Sequence, residues 1–328
     1  MCDTLVALPA ATGGATLFAK NSDRPPAERQ VIEWSEPRVD RDVTKVTHIG
    51  VAAHPRSTLR CLISRPTWCW GAEHGVNEAG VAIGNQAIYT IDDPRHVAPA
   101  LIGMDLVRLG LERSQSAHAA MTTIIEMLER YGQGGSGHDP TEVPAGRPYW
   151  SSFLIADAGE AWVIETSGRR WATERVVDER AISNRTTIPE FDASYRHPRQ
   201  PVERLVDPRW HASQRALAQR PVTVAALQRH LRSHDSCAEP GWSVCMHVPG
   251  VEETTASMIV ELPPDAPFTA WMLTGSPCEN DYVAYGSRTA MSPSVGSTPR
   301  CWNRARSTSA TSPFWSHRRR IRSRTANR

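Results

Sequence analysis

The first two dozen residues constrain this chain most. They read as a β-hairpin: Thr4-Leu5-Val6-Ala7-Leu8 is one strand, Ala11-Thr12-Gly13-Gly14 the turn, and Ala15-Thr16-Leu17-Phe18-Ala19 the return. The two glycines supply the positive φ that tight turns need. Antiparallel register about Thr12-Gly13 pairs residues whose numbers sum to about 25, which sets Cys2 opposite Asp23, give or take a residue. The polar run Lys20, Asn21, Asp23 and Arg24 is thereby folded back onto the amino terminus.

Cys2 follows Met1 directly, and cysteine is small enough that the cell's aminopeptidase normally removes such a Met. The chain then begins with a thiol and a free α-amine on one residue. The amine has a reference pKa of about 7.7–8.0 and the thiol about 8.5, so near pH 7–8 the amine is substantially neutral and can accept the thiol proton. An amino-terminal nucleophile that supplies its own base is a route to covalent catalysis. A lone cysteine beside a turn is otherwise an inert core thiol. The hairpin register and the polar cluster are what set Cys2 apart.

Composition narrows the classes of function. With 328 residues, 40% of them hydrophobic, a sizeable core is available. The net charge of +2 hides a split: residues 286–328 hold ten Arg and no Asp, Glu or Lys. That leaves 27 basic and 35 acidic side chains, a net of −8, for residues 1–285. An acidic body gives no support for nucleic-acid binding. The seven cysteines are odd in number and form no CxxC pair, so neither a disulfide framework nor a zinc site is indicated. The start lacks the basic region of a secretion signal, and no apolar run approaches the ~18 residues that span a membrane. The expectation is a cytoplasmic protein with no membrane partner. From Gly286 onward, Ser, Thr, Pro and Arg dominate and apolar periodicity vanishes, which reads as a disordered tail. A meaningless extension, such as a coding-frame slip, fits this composition better than a nucleic-acid or membrane tail. The domain division is therefore 1–285 and 286–328.

Short strands are expected at Gln30–Trp34, Val46–Ile49, Leu59–Ile63 and Val81–Ala87, with Gly84 leaving room for close backbone approach. Two helices follow, Ala100–Arg113 and Ala117–Tyr131, the second with a clean 3.6-residue apolar stripe. Phe153–Ala156, Ala161–Glu165, Trp171–Val177 and Ala181–Asn184 form a meander. Pro189 to about Pro221 reads as a polar linker, and Thr223 as the cap of a helix over Val224–Arg232. Trp242–His247, Thr255–Glu261 and Thr269–Leu273 complete the strands. Strand runs around a helical pair fit a layered α+β fold better than alternating βαβ units.

Several stretches belong together: Cys2-Asp3-Thr4-Leu5-Val6-Ala7-Leu8-Pro9, Lys20-Asn21-Ser22-Asp23-Arg24-Pro25, Trp70-Gly71-Ala72-Glu73, Asn77-Glu78-Ala79-Gly80-Val81 and Gly84-Asn85. Trp242-Ser243-Val244-Cys245-Met246-His247 and Thr274-Gly275-Ser276-Pro277-Cys278 continue the series, which spans most of residues 2–280. Together they resemble the secernin and C69 dipeptidase family. The resemblance implies an amino-terminal nucleophile hydrolase: an αββα four-layer sandwich of two antiparallel sheets between helical layers. It implies Cys2 as nucleophile, Asp23 beside its amine, the Asn85 backbone N–H and the Asn184 side chain as oxyanion donors, and Lys20 where distant acylases carry a catalytic Arg. Arg24 and Asn21 are the candidate substrate-binding residues. Met258 stands where those acylases have another Arg, so acylase-type substrates are not implied.

The function that follows is a cysteine dipeptidase acting on short peptides, with no metal or organic cofactor. The alternatives are an amidase of non-peptide N-acyl amides on the same machinery, and a non-catalytic interaction protein that kept the fold. A homo-oligomer stays open. His230 and His234 are four apart on the expected last helix, but lack the Glu of HExxH and a third ligand, so they read as a solvated face.

Overall fold

The computed structural model describes residues 1–235 and 239–286. Of the basic tail expected over residues 286–328, Gly286 instead closes the last strand, and the remainder lies outside the described residues. In chain order the structure opens with β1 (Cys2–Ala7), the one-turn helix α1 (Pro9–Thr12) and β2 (Thr16–Arg24). Next come β3 (Gln30–Ser35), β4 (Val43–Lys45), β5 (Gly50–Ala52), β6 (Cys61–Pro66), β7 (His74–Asn77) and β8 (Ala82–Ile88). The helical pair α2 (Gly103–Arg113) and α3 (Ala117–Tyr131) precedes β9 (Trp150–Ala156), β10 (Ala161–Ser167), β11 (Arg170–Arg175) and β12 (Glu179–Ile182). Four helices follow: α4 (Pro189–Tyr195), α5 (Val202–Leu205), α6 (Asp207–Leu217) and α7 (Val224–Leu231). The last strands are β13 (His247–Val248), β14 (Glu252–Leu262), β15 (Thr269–Thr274) and β16 (Val283–Gly286).

Two antiparallel sheets carry the fold. One runs β12-β1-β2-β14-β15-β16, with β13 paired to β14; the other runs β11-β10-β9-β8-β7-β6-β3. Three apolar clusters show how they stack. Val6, Phe18, Met258 and Met272 of the first sheet meet Leu62, Val76, Ala82 and Leu154 of the second. The outer face of the second sheet packs Ile83, Phe153 and Ile155 against Leu106, Val107 and Leu109 of α2 and Ile124 of α3. The outer face of the first packs Leu5, Ala19 and Ile259 against Leu217 of α6 and Leu227 of α7. This is the four-layer sandwich that was expected, helices outside and sheets within. Strands β1 and β2 are buried at every position because both faces of their sheet are covered. Each Leu, Ile or Phe so buried contributes about 1.5–3 kcal/mol.

The hairpin differs from its sequence reading by one residue. Pro9 to Thr12 coil into a helical turn closed by Gly13 at φ 78°, with Gly13 N–H donating to Pro9 O. Cys2 therefore pairs with Ser22, one residue from Asp23 and inside the expected margin. The stretch read as a polar linker is mostly helical: α4 to α6 tether it through Phe191, Val202, Leu205 and Leu217, all buried. Their apolar residues are too few among the Arg to give a visible stripe. Val46–Ile49 is the turn between β4 and β5, not a strand, and β4, β5, β7 and β16 were missed. Of Trp242–His247 only His247 enters a strand. The α7 cap is as expected, with Thr223 Oγ1 accepting from Ala226 N–H at 3.2 Å. Among the described residues no helix is long and apolar enough to cross a membrane.

Gly84 shows how closely the sheets approach. A Cβ there would lie 2.6 Å from Lys20 Cδ, which reaches across from β2. Lys20 is wholly buried and has no room to retreat. Gly84→Ala is expected to cost about 1–3 kcal/mol by overpacking. Gly14→Ala, with nothing within 4 Å of its added Cβ, should be near neutral. Urea denaturation midpoints of the two variants check this.

Candidate active site

Alternation along β1 and β2 sorts the polar cluster onto two faces. Residues opposite each other in an antiparallel pair share a face, so Cys2, Thr4, Lys20 and Ser22 point between the sheets. Thr4 Oγ1 accepts from Gln86 Nε2 of β8, which fixes that direction. Asp3, Asn21 and Asp23 point the other way, toward α6 and α7.

On the inner face, Lys20 Nζ donates to Ser22 Oγ at 2.7 Å and lies 3.7 Å from Glu73 Oε2. Ser22 Oγ is 3.1 Å from His74 Nδ1. Burial and the Lys20 charge push the His74 imidazole well below its ordinary range, so it is neutral. Ser22 Oγ, which accepts from Lys20, donates to or accepts from Nδ1 according to the His74 tautomer. Arg24 is held by Glu28, by Glu73 Oε1 at 3.1 Å and by Gly137 O at 2.7 Å. The Cys2 thiol is 5% exposed. Burial pushes its pKa up, and the Lys20 charge is the largest influence opposing that. A thiolate is thus not resident; the thiol needs a base.

On the outer face, Arg209 of α6 is fully buried and donates to Asp3 Oδ2 at 2.6 Å. Its NH2 donates to Asn184 Oδ1 at 3.1 Å, and Asp23 Oδ2 lies 3.9 Å from NH1. Asn184 Oδ1 also accepts from Cys2 N–H at 2.8 Å. A continuous polar chain therefore runs from Asp23 through Arg209 and Asn184 to the Cys2 nitrogen. Asp23 Oδ1 accepts from Thr254 Oγ1 at 2.7 Å. Burial raises the Asp23 pKa to about 7, against the Met1 ammonium and Arg209. The Met1 ammonium itself is bonded to Glu252 and to Asp23 O at 3.0 Å. Burial alone would raise the Glu252 pKa, but that ammonium and Arg147 outweigh it and hold it at about 2.

The structure thus gathers Cys2, Lys20, Asp23 and Asn184 at one end of β1 and β2. Other assignments meet competing bonds. The Asn85 N–H donates to Glu73 O at 3.2 Å, because the β7–β8 ladder runs one residue further than a free donor would need. Asn184 Nδ2 donates to Ala87 O at 2.9 Å. Asn21 is not placed to bind substrate: its Nδ2 donates to Leu231 O and Val244 O, and its Oδ1 accepts from Ser257. Arg24 is 3% exposed and occupied by two carboxylates. Sequence reading missed Arg209, Glu73, His74 and Glu252. Asp207-Pro208-Arg209, a helix start with Pro near its amino end, was the available signal for α6.

Arg209→Leu leaves two buried carboxylates without their cation and is expected to cost about 3–5 kcal/mol at pH 7–8. The sign with pH follows from Asp23. Its folded-state pKa is above its unfolded value, so the folded state gains relative stability as pH falls from about 7 toward about 4. Losing Arg209 raises the Asp23 pKa further, so the variant's deficit should shrink as pH falls toward about 7, below which Asp23 is protonated in both folded proteins, as read by urea denaturation against pH.

Comparison with known proteins places these residues in a family. Among solved structures, a mutant of the conjugated bile acid hydrolase from Clostridium perfringens is similar at 11% identity and TM-score 0.49, covering 87% of this chain and 96% of that one. An N-acylethanolamine-hydrolyzing acid amidase ortholog from Caenorhabditis elegans is similar at 11% identity and TM-score 0.46, covering 79% and 92%. The model of peptidase family C69 matches residues 1–200, more than half of the chain, and this protein belongs to that family.

Proposed function

We propose that this protein is a cysteine dipeptidase in which loss of Met1 exposes Cys2 as nucleophile and base together. The observation that carries this reading is the place of the Met1 ammonium. It sits one residue from the nucleophile, bonded to Glu252, whose other oxygen is 3.2 Å from Arg147 NH1. A carboxylate so placed is a receptor for a free α-ammonium. Once Met1 is gone, the amino group of a short peptide fits the same carboxylate, and an N-acylated substrate has no charge to offer it.

The steps follow from the geometry. The Cys2 α-amine, oriented by Asn184 Oδ1, takes the thiol proton as Sγ attacks the scissile carbonyl. Lys20 favours the thiolate as it forms. Asn184 Nδ2 has a second hydrogen for the oxyanion without breaking its bond to Ala87, whereas the Asn85 N–H has to leave Glu73 O. Asn184 is therefore the main donor in this scheme, and losing such a donor typically lowers kcat about 10²–10³-fold. The ammonium of Cys2 then protonates the leaving amine, and water releases the acyl group from Sγ. Asp23 supports the charged amine from the other face through Arg209 and Asn184.

Intact mass and a substrate panel test the proposal. The purified protein should lack Met1, cleave dipeptides, and act poorly on N-acetylated dipeptides and penicillin V. Retention of Met1, or a preference for the acylated substrates, would defeat it. Cys2→Ser should keep the fold and lose nearly all activity. Glu252→Gln removes a charge-assisted bond of about 1.5–3 kcal/mol, so KM for free dipeptides should rise about 10–100-fold. Asp23→Asn should lower kcat and shift the pH–rate profile toward lower pH, because a carboxylate that favoured the protonated amine is gone.

A further inference from the structure

Away from the Cys2 site, four side chains from three loops converge: His234 after α7, Cys245 and His247 before β14, and Cys278 after β15. Their ligand atoms all lie within 4.8 Å of one another. His247 Nε2 is 3.1 Å from Cys278 Sγ and 3.4 Å from Cys245 Sγ. The His234 and His247 rings meet edge-on, with centroids 5.1 Å apart. We propose that these four residues bind one zinc ion tetrahedrally, as a structural site clamping the three loops.

The distances suit that ion. Zinc bonds of about 2.3 Å to sulfur and 2.0–2.1 Å to nitrogen give tetrahedron edges of about 3.3–3.8 Å. The His247 contacts are already close to those edges, so closure needs only small side-chain rotations. The donor set matters as much as the size. Two thiolates and two imidazoles favour zinc, while magnesium and calcium require oxygen ligands.

The backbone around the four residues is held in place independently. Cys245 N–H donates to Ser233 O at 3.0 Å, which joins the first loop to the second. Arg232 Nε donates to Pro277 O at 2.7 Å, which joins the first to the third. Met246 N–H donates to Thr254 Oγ1 at 2.9 Å, and Ser276 Oγ donates to Thr254 O at 3.0 Å. Thr254 is the residue that bonds Asp23. The ion would therefore fix a loop cluster one hydrogen bond away from the polar chain leading to Cys2. His234 lies beyond the end of α7, and His230 instead bonds Ser213 Oγ at 2.9 Å, so the two do not share a helical face as their spacing suggested.

The test uses the full chain purified with a thiol reductant. Elemental analysis should find one equivalent of zinc after desalting. Replacement by cobalt(II) should give tetrahedral d–d bands and thiolate charge-transfer absorption. Cys278→Ser and His234→Ala both alter exposed residues, so they should fold, as circular dichroism can verify, while binding cobalt at least about 10-fold more weakly. Cys2→Ala should keep the full spectrum, which separates this site from the nucleophile. No retained metal and no cobalt bands in reduced wild-type protein would overturn the proposal. So would a Cys245–Cys278 disulfide in that protein, or an unchanged spectrum in a Cys245→Ser, Cys278→Ser double variant.

Discussion

Buried charge is the constraint on which this structure depends. At one end of the two sheets, Asp3, Asp23, Glu28, Glu73 and Glu252 are each no more than 3% exposed, as are Lys20, Arg24 and Arg209. An ion in such a place is tolerable only if it is paired and hydrogen-bonded. Each carboxylate here has a cation within reach, and the arrangement is divided by the sheet itself. Lys20 and Arg24 pair with Glu28 and Glu73 on the inner face; Arg209 is shared by Asp3 and Asp23 on the outer. A hydrophobic exchange of similar volume would be cheaper for stability alone. The retained charges instead set the electrostatic field around one thiol and one amine.

The order of elements was largely legible in the sequence, and the reasons for the exceptions are physical. Helix α3 announced itself because one clean face meets a sheet, and α2 did so through its density of Leu, Met and Val. The meander β9 to β12 did so through β-branched and aromatic runs punctuated by Asp-Ala-Gly and Ser-Gly turns. The α4–α6 segment did not, because its burial rests on a few anchors between arginines. The hairpin register was off by one residue because Pro9 starts a helical turn where a simple loop was assumed. That slip matters, since a single step transfers a side chain to the opposite face. Asp23 consequently faces α6 rather than sharing the thiol's side.

The site was legible as a set of residues but not as a set of bonds. Cys2, Lys20, Asp23 and Asn184 could be picked out from motifs, and the fold brings them to one end of the hairpin. The link from Asp23 to Asn184 runs through Arg209, which lies far along the chain in a segment with no distinctive pattern. Asn21 and Arg24 show the reverse error. Polar residues near a nucleophile look available in a sequence, yet here the protein itself uses up their hydrogen-bonding groups. The cluster of His234, Cys245, His247 and Cys278 was invisible for a third reason: its members are spaced by the packing of three loops, not by any local repeat.

Strand β1 is paired on both sides, by β12 and β2, and Met1 precedes it with an ammonium bonded to Glu252. Met1 is therefore held against the charged end of the sandwich. Any tag or leader fused there would replace the ammonium by a neutral amide and lead a further peptide through the charged end of the sandwich.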